Sequence, residues 1–275
     1  MKENLKYVNH LNEVFEFAAE EAYVFESDLH DYSWGIIQKN NKISGFARGL
    51  AKKQIPILLH CRDESRGFEL RNKLFELTEK DVIAEKPGRL VMNGYYLLCY
   101  VTASTKTDYL YRKRFMKIGL EITVEWPFWR QETTTSYMPT SGGEDPSYCC
   151  DFPFDFPHGY ASNVSSASVL NRNFVSSEFR LRIYGDCVNP QITIGNHTYK
   201  VNCTINTGEY LTIDSSAKTI ILTTVNGEEI NEFSSRDKND YIFERIPSGE
   251  SVLAWNGDFG FDLTLIEERS EPKWI

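Results

Sequence analysis

Phe259-Gly-Phe-Asp-Leu-Thr-Leu-Ile266 decides the fold, because it alternates large apolar residues with glycine or polar ones. Val201-Asn-Cys-Thr-Ile205 shows the same alternation. Successive side chains of a β-strand point to opposite faces, so both segments predict strands with one buried and one solvated face. Gly195-Asn196, Asn226-Gly227 and Ser248-Gly249 lie between such strands and suit tight turns. Strands at intervals of roughly 8 to 12 residues predict an antiparallel sandwich or barrel.

A shift in composition near residue 130 predicts that this sandwich is one of two domains. Residues 1–130 hold 20 Lys and Arg against 18 Asp and Glu, whereas residues 131–275 hold 10 against 21. A chain of 275 residues is long enough for two ordinary cores. We therefore expect an N-terminal domain over residues 1–130, a linker rich in Pro and aromatic residues over 131–160, and a C-terminal sandwich over 161–266. A C-terminal tail follows over residues 267–275, and one interpretation is that it returns to the N-terminal domain.

The N-terminal domain begins with strand-like segments that surround a polar tip. Tyr32-Ser-Trp-Gly-Ile-Ile37 and Gln54-Ile-Pro-Ile-Leu-Leu59 are apolar enough for strands, and Gln38–Gly45 is polar between them. This pattern predicts a long hairpin that protrudes from a core. The unpaired backbone groups along its edge offer a pairing site for another copy of the chain.

One helix is predicted from about Glu64 to Asp81. Phe68, Leu74, Phe75 and Leu77 form its approximate apolar stripe. Apolar residues alternate from Ile118 to Trp126 and predict a further strand, so the domain is expected to be α+β.

Composition excludes several classes of function. The acidic second half argues against nucleic-acid recognition, which draws on clustered Lys and Arg. No apolar run reaches the length of a membrane span and no secretion signal is recognised, so we expect a soluble chain without membrane insertion. Most of the six cysteines are expected to be small buried residues in a reducing cytoplasm. No residues assemble a nucleophile with its base or a set of metal ligands, so no enzyme, metal or cofactor is expected.

Seven short motifs occur in a fixed order along the chain. They are Leu74–Val82, Pro87–Leu90, Tyr95–Tyr100, Ile183–Gly195, Gly208–Asp214, Phe243–Gly249 and Glu267–Trp274. Together they resemble the distal tail proteins of long-tailed, non-contractile bacteriophages. The resemblance covers most of the chain.

That resemblance implies a mostly β protein. Its first domain would form a ring and would be a split barrel or sandwich with one helix and a projecting hairpin. Its second domain would be a galectin-like antiparallel β-sandwich. Six copies would form a ring at the tail tip of the virion, after synthesis and assembly in the bacterial host cytoplasm.

The partners implied by the resemblance are other tail proteins. The ring would connect the tail tube protein to the tail-associated or tail fibre protein, and the sandwiches could carry receptor-binding proteins. DNA would pass through the lumen without specific binding, which suits an acidic chain because like charges repel. The alternative is a carbohydrate-binding β-sandwich module of a phage or prophage adhesion device, and a wall-degrading enzyme is a third class.

Two sets of candidate site residues follow. The assembly interface is predicted from the hairpin and from aromatic residues at the ends of elements, for which ordinary core packing is the competing interpretation. A possible glycan contact lies at Trp255, Asn256 and Asp258, where a half-buried Trp at a turn is the favoured interpretation. The predicted assembly residues are Trp34, Lys39, Asn40, Trp126, Phe128, Trp129 and Trp274.

Overall fold

The chain folds into two compact units. The computed structural model describes residues 5–17, 21–110, 115–139 and 165–274. The first unit comprises Met1–Gln131 together with Glu268–Ile275, and the second comprises Glu132–Glu267. The C-terminal residues therefore belong to the first unit.

The predicted linker over residues 131–160 is wrong at its start. Trp129–Tyr137 is a continuous β-strand, so residues 131–137 are strand rather than linker. The run of threonines there is the reason, since β-branched side chains favour extended backbone even without apolar alternation. The rest of the predicted linker, from residue 140, lies outside the described residues.

Among its described residues, the first unit contains strands β1 to β9, the first three residues of β10 and one helix. Their bounds are β1 Leu5–Val8, β2 Val14–Glu16, β3 Ala22–Val24, β4 Gly35–Lys39, β5 Lys42–Ala47, β6 Ala51–His60, α1 Glu64–Ile83, β7 Gly88–Met92, β8 Tyr95–Leu110, β9 Phe115–Val124 and β10 Trp129–Tyr137.

The long strand β8 joins two antiparallel sheets of this unit. Its first part pairs with β7 from Tyr95 to Cys99, and its second part pairs with β9 from Tyr100 to Leu110. One sheet has the order β10-β8-β7-β1-β2, and the other runs β3-β6-β9-β8. Apolar residues alternate inward along β6, β7 and β9 and form a single core with one face of α1.

Side chains at both ends of helix α1 stabilise it. Asp63 caps its N-terminus by accepting a hydrogen bond from the backbone N–H of Arg66 at 2.9 Å. Lys80 lies in the last turn, where a positive charge complements the helix dipole. The predicted helix is confirmed and extends two residues further.

The predicted apolar stripe of α1 is wrong in part. Phe68 and Phe75 are exposed, whereas Leu70, Leu74 and Leu77 are buried. The buried leucines follow the spacing of four and three residues that keeps side chains on one face of a helix. Phe68 and Phe75 lie seven residues apart on another face.

A buried carboxylate ties α1 to the first strand. Asp81 is fully buried and accepts hydrogen bonds from the Tyr7 hydroxyl at 2.6 Å and the His10 backbone N–H at 2.8 Å. The His10 Nδ1 lies 2.5 Å from the same carboxylate. Burial is the largest cause that raises the pKa of Tyr7. Gly88 passes so close that a Cβ atom there would collide with both Tyr7 and Asp81.

The second unit contains the rest of β10, from Glu132, and the remaining described strands. Their bounds are β11 Ser165–Asn171, β12 Glu178–Tyr184, β13 Cys187–Val188, β14 Gln191–Ile194, β15 His197–Lys200, β16 Thr204–Ile205, β17 Tyr210–Asp214, β18 Thr219–Thr223, β19 Glu229–Asn231, β20 Gly249–Trp255 and β21 Phe261–Arg269, with a short 3-10 helix at Phe233–Ser235.

The second unit is an antiparallel β-sandwich. One sheet has the order β19-β18-β17-β12-β21-β10, the other runs β11-β20-β14-β15, and β13 pairs with β16. Their inner faces share one core, in which the rings of Trp255 and Phe261 lie 5.3 Å apart. The predicted fold class is confirmed, with an α+β first half that carries a hairpin and a sandwich in the second half.

The contacts of Gly88 generate the first testable prediction. Gly88→Ala should lower the free energy of unfolding by about 1–3 kcal/mol, because the added methyl group forces Tyr7 and Asp81 apart. Gly49→Ala is the control, since a Cβ at Gly49 meets no atom within 4 Å. Urea denaturation followed by circular dichroism measures both variants, and equal midpoints would contradict the prediction.

Candidate assembly interface

Strands β4 and β5 form a hairpin that stands apart from the sheets of the first unit. They constitute a two-stranded sheet, and within the described residues neither strand pairs with a third. Asn40 and Asn41 make the turn with φ angles of 52° and 58°. Asparagine is among the few residues that adopt such angles readily, and two in succession are typical of a hairpin turn.

Apolar side chains cover much of this hairpin. Ile36 pairs directly with Phe46, so their side chains lie side by side on one face. The four large apolar residues of the strands are between 50% and 60% exposed; they are Ile36, Ile37, Ile43 and Phe46. Exposed apolar residues on strands with open edges mark a surface that pairs with another chain.

Arg48 fixes the base of the hairpin. Its guanidinium carbon lies 4.9 Å from the ring centre of Trp34, 4.8 Å from that of Phe128 and 5.5 Å from that of Tyr32. Its Nη1 donates a hydrogen bond to the Pro127 carbonyl at 2.6 Å. The attraction between a cation and aromatic faces is worth about 0.5–2 kcal/mol per contact. We call these residues, with Trp126, the aromatic clamp.

The aromatic clamp also connects hairpin residues to the loop before β10. The rings of Trp34 and Phe128 lie 5.8 Å apart, edge to face, and those of Trp126 and Phe128 lie 5.2 Å apart. Burial of Arg48 lowers the pKa of its guanidinium, which nevertheless stays charged at physiological pH. The clamp therefore contains a positively charged guanidinium at physiological pH.

A cleft lies beside the clamp. It has a volume of about 540 Å³. It is lined by both ends of the hairpin, by residues between Asp28 and Ser33 that lead into the hairpin, and by the start of β6. Lys53 is buried at this place and donates hydrogen bonds to the carbonyls of Asp28 at 2.7 Å and Asp31 at 2.6 Å. Burial lowers the pKa of the Lys53 ammonium. The segment that leads into the hairpin is thus held to the first residues of β6.

Five of the seven predicted assembly residues belong to the hairpin or to the aromatic clamp. Trp34, Trp126 and Phe128 are in the clamp, and Lys39 and Asn40 are at the hairpin tip. Trp274 lies elsewhere in the first unit, where its exposed ring stacks on His30 with the ring centres 3.8 Å apart.

The prediction for Trp129 is wrong. Its side chain is 1% exposed and belongs to the core of the first unit. Trp129 is the first residue of β10 and points inward, whereas Trp126 precedes the strand and is 48% exposed. Proximity in sequence therefore did not imply a shared environment, because the chain turns between the two residues.

The predicted glycan contact is wrong for Trp255. Its ring is 7% exposed, and its indole N–H donates a hydrogen bond to the Phe259 carbonyl at 3.2 Å. A sugar cannot stack on a ring that the core already covers. Asn256 and Asp258 remain exposed and bond to each other at 2.7 Å, as residues of a turn commonly do.

Sequence analysis missed Arg48 and the apolar residues of the hairpin. Ile36, Ile43 and Phe46 could have been found by counting apolar residues within the predicted hairpin, since such residues are normally buried. Arg48 gave no local signal, because its aromatic partners include Phe128, which is distant in sequence.

Two findings bear on other functions. Among the described residues, no group of three or more His, Cys, Asp or Glu side chains is placed to hold a metal ion. No helix in this part of the chain is long and apolar enough to cross a membrane.

The whole chain is similar in fold to solved phage tail proteins. The Dit protein of phage SPP1, described as a paradigm of the hub adsorption apparatus in phages that infect Gram-positive hosts, is 11% identical with a TM-score of 0.61. That similarity covers 97% of this chain and 99% of the SPP1 protein. A chain of the phage P2 baseplate, in its activated conformation with Ca, is 10% identical with a TM-score of 0.63 over 99% of this chain and 100% of its own.

The same baseplate with Sr gives 10% identity and a TM-score of 0.63, over 98% of this chain and 99% of its own. At such low identity, the similarity establishes the fold that the resemblance implied. No protein-family model and no curated protein sequence matches the chain.

The contrast between two tryptophans generates a prediction. Trp129→Ala should lower the free energy of unfolding by about 3–5 kcal/mol, because it leaves a cavity in the core. Trp126→Ala should cost about 1 kcal/mol, since that ring is half exposed. Chemical denaturation followed by circular dichroism measures both losses.

Trp129→Phe is the matched control for the core position. The Trp129 indole N–H is buried without a hydrogen-bond partner among the described residues, so phenylalanine removes an unsatisfied donor and keeps most of the volume. Its cost should fall well below that of Trp129→Ala. Similar losses for Trp126→Ala and Trp129→Ala would contradict the assignment of one residue to the surface and the other to the core.

Proposed function

We propose that this chain is a structural protein of a phage tail tip, where copies associate into a closed ring. The observation that carries the proposal is the hairpin of β4 and β5, with its open backbone edges and its exposed apolar residues. No described segment of the same copy pairs with these edges, and a neighbouring copy can cover both the edges and the apolar residues. The fold shared with the SPP1 hub protein and the P2 baseplate supports a tail-tip role.

A ring follows from the asymmetry of the proposed contact. We propose that the hairpin of one copy contacts a different surface of its neighbour, so that the contact runs head to tail. Such contacts generate a closed ring when the rotation between neighbours fits a whole number of copies. We propose six copies, as the resemblance implies.

The proposed ring joins other components of the tail. Its partners are a tail tube protein, a tail-associated or tail fibre protein, and receptor-binding proteins on the second unit. The chain acts by assembly without turnover chemistry, at the tail tip of the virion. DNA passes through the lumen, and the net charge of −9 favours passage without binding.

Ring formation is tested by the mass of the purified chain. Native mass spectrometry and light scattering should detect an oligomer of ring size. Phe46→Ser should raise the concentration at half-assembly by about tenfold or more, because it removes an aromatic contact from the proposed interface. The far-UV circular dichroism spectrum should not change.

Phe75→Ser is the matched control. Phe75 is 58% exposed on α1 and Phe46 is 60% exposed on the hairpin, so both substitutions remove similar apolar surface. Only the hairpin variant should weaken assembly. A wild-type chain that stays monomeric at every concentration, or equal effects of the two variants, would contradict the proposal.

A further inference from the structure

We infer that Glu268 is a positioning residue for the hairpin, because its carboxylate orients the aromatic clamp from the opposite end of the sequence. The inference rests on the proposed function for its consequence in ring assembly. The hydrogen bonds that carry it lie within the first unit and hold in a single copy.

One oxygen of Glu268 collects three N–H donors. Its Oε1 accepts from the Trp126 indole N–H at 3.0 Å and from Arg130 Nε at 2.9 Å, and Arg130 Nη2 lies 2.9 Å from it. The side chains of Arg130 and Glu268 are only 18% and 17% exposed. Partly buried bonds to a charged group are stronger than those between neutral partners.

Arg130 gives this carboxylate a rigid anchor. It lies in β10, where it pairs with Tyr96 of β8 in the central sheet of the first unit. Glu268 therefore bridges a fixed strand on one side and the half-exposed Trp126 on the other. Without the carboxylate, an indole ring with this exposure has several available rotamers.

The position of Trp126 determines the position of the remaining clamp. Its ring packs against Phe128, and Phe128 contacts both Trp34 and Arg48. The Phe128 backbone N–H also donates to the Trp126 carbonyl at 2.7 Å, which keeps the two rings on one tight turn. A chain of direct contacts thus runs from Glu268 to Trp34, the residue that precedes β4.

A second contact of the same C-terminal segment reaches the chain before the hairpin. Trp274 stacks on His30, which lies in the loop that leads to Trp34. The Asn93 side chain donates to the Lys273 carbonyl at 3.4 Å and supports this segment from the turn between β7 and β8. The C-terminal segment therefore contacts the aromatic clamp through Glu268 and the loop before the hairpin through Trp274.

Hydrogen exchange and native mass spectrometry of the full chain test the inference. Glu268→Ala should accelerate amide exchange in residues 35–47 by about tenfold, since it removes bonds to a charged acceptor. Exchange in β8 should stay at the wild-type rate. The concentration at half-assembly should rise by a similar factor, because a mobile hairpin must be ordered on association.

Two further variants separate positioning from a general effect. Glu268→Gln keeps an oxygen that accepts from Trp126, so it should restore most of the hairpin protection. Glu271→Ala is the control within the same segment, because Glu271 bonds to Arg269 through its backbone carbonyl and should keep wild-type exchange.

The inference is overturned if Glu268→Ala leaves hairpin exchange unchanged, if it accelerates β8 equally, or if Glu268→Gln fails to restore protection. The two claims fail separately. A wild-type chain without rings would contradict the proposed function, whereas hairpin exchange measured on that monomer would still decide the role of Glu268.

Discussion

The stacking of Arg48 on aromatic rings is the interaction on which the candidate interface depends. A two-stranded hairpin is marginally stable by itself in water, and this one has no third strand among the described residues. The apolar residues of the hairpin are exposed and give it no core of its own. Contacts at its base therefore hold the two strands in one orientation. Arg48 follows β5 directly and contacts both Trp34, which precedes β4, and Phe128, which lies outside the hairpin. The cation therefore connects the two ends of the hairpin to a third segment.

The core of the first unit provides the rigid support for this arrangement. Only residues 48–50 separate β5 from β6, and β6 pairs along its whole length with β9. The buried Lys53 extends the support to the chain that enters the hairpin. The hairpin is thus attached to the most extensively paired part of its unit, which is an effective way to hold exposed strands in one direction.

A buried carboxylate of the second unit has its partners within that unit. The buried Glu178 accepts a hydrogen bond from Ser215 at 2.6 Å and another from Arg245 at 2.9 Å. Trp255 packs within the core of the sandwich. Trp255, which suggested sugar binding, therefore contributes to folding. Within the described residues, the hairpin of the first unit is a two-stranded sheet of its own, and its four large apolar residues are between 50% and 60% exposed.

The sequence by itself determined many of the strands, the helix, the hairpin and the two-part organisation, because alternation, helical spacing and turn residues act between residues close in the chain. It could not separate Trp126 from Trp129, or identify Phe68 and Phe75 as exposed, since burial depends on which face meets another element. Only the tertiary structure brought Arg48 to Phe128 and Glu268 to Trp126. Contacts between residues so distant in sequence leave no periodic pattern, so they are decided when the sheets pack.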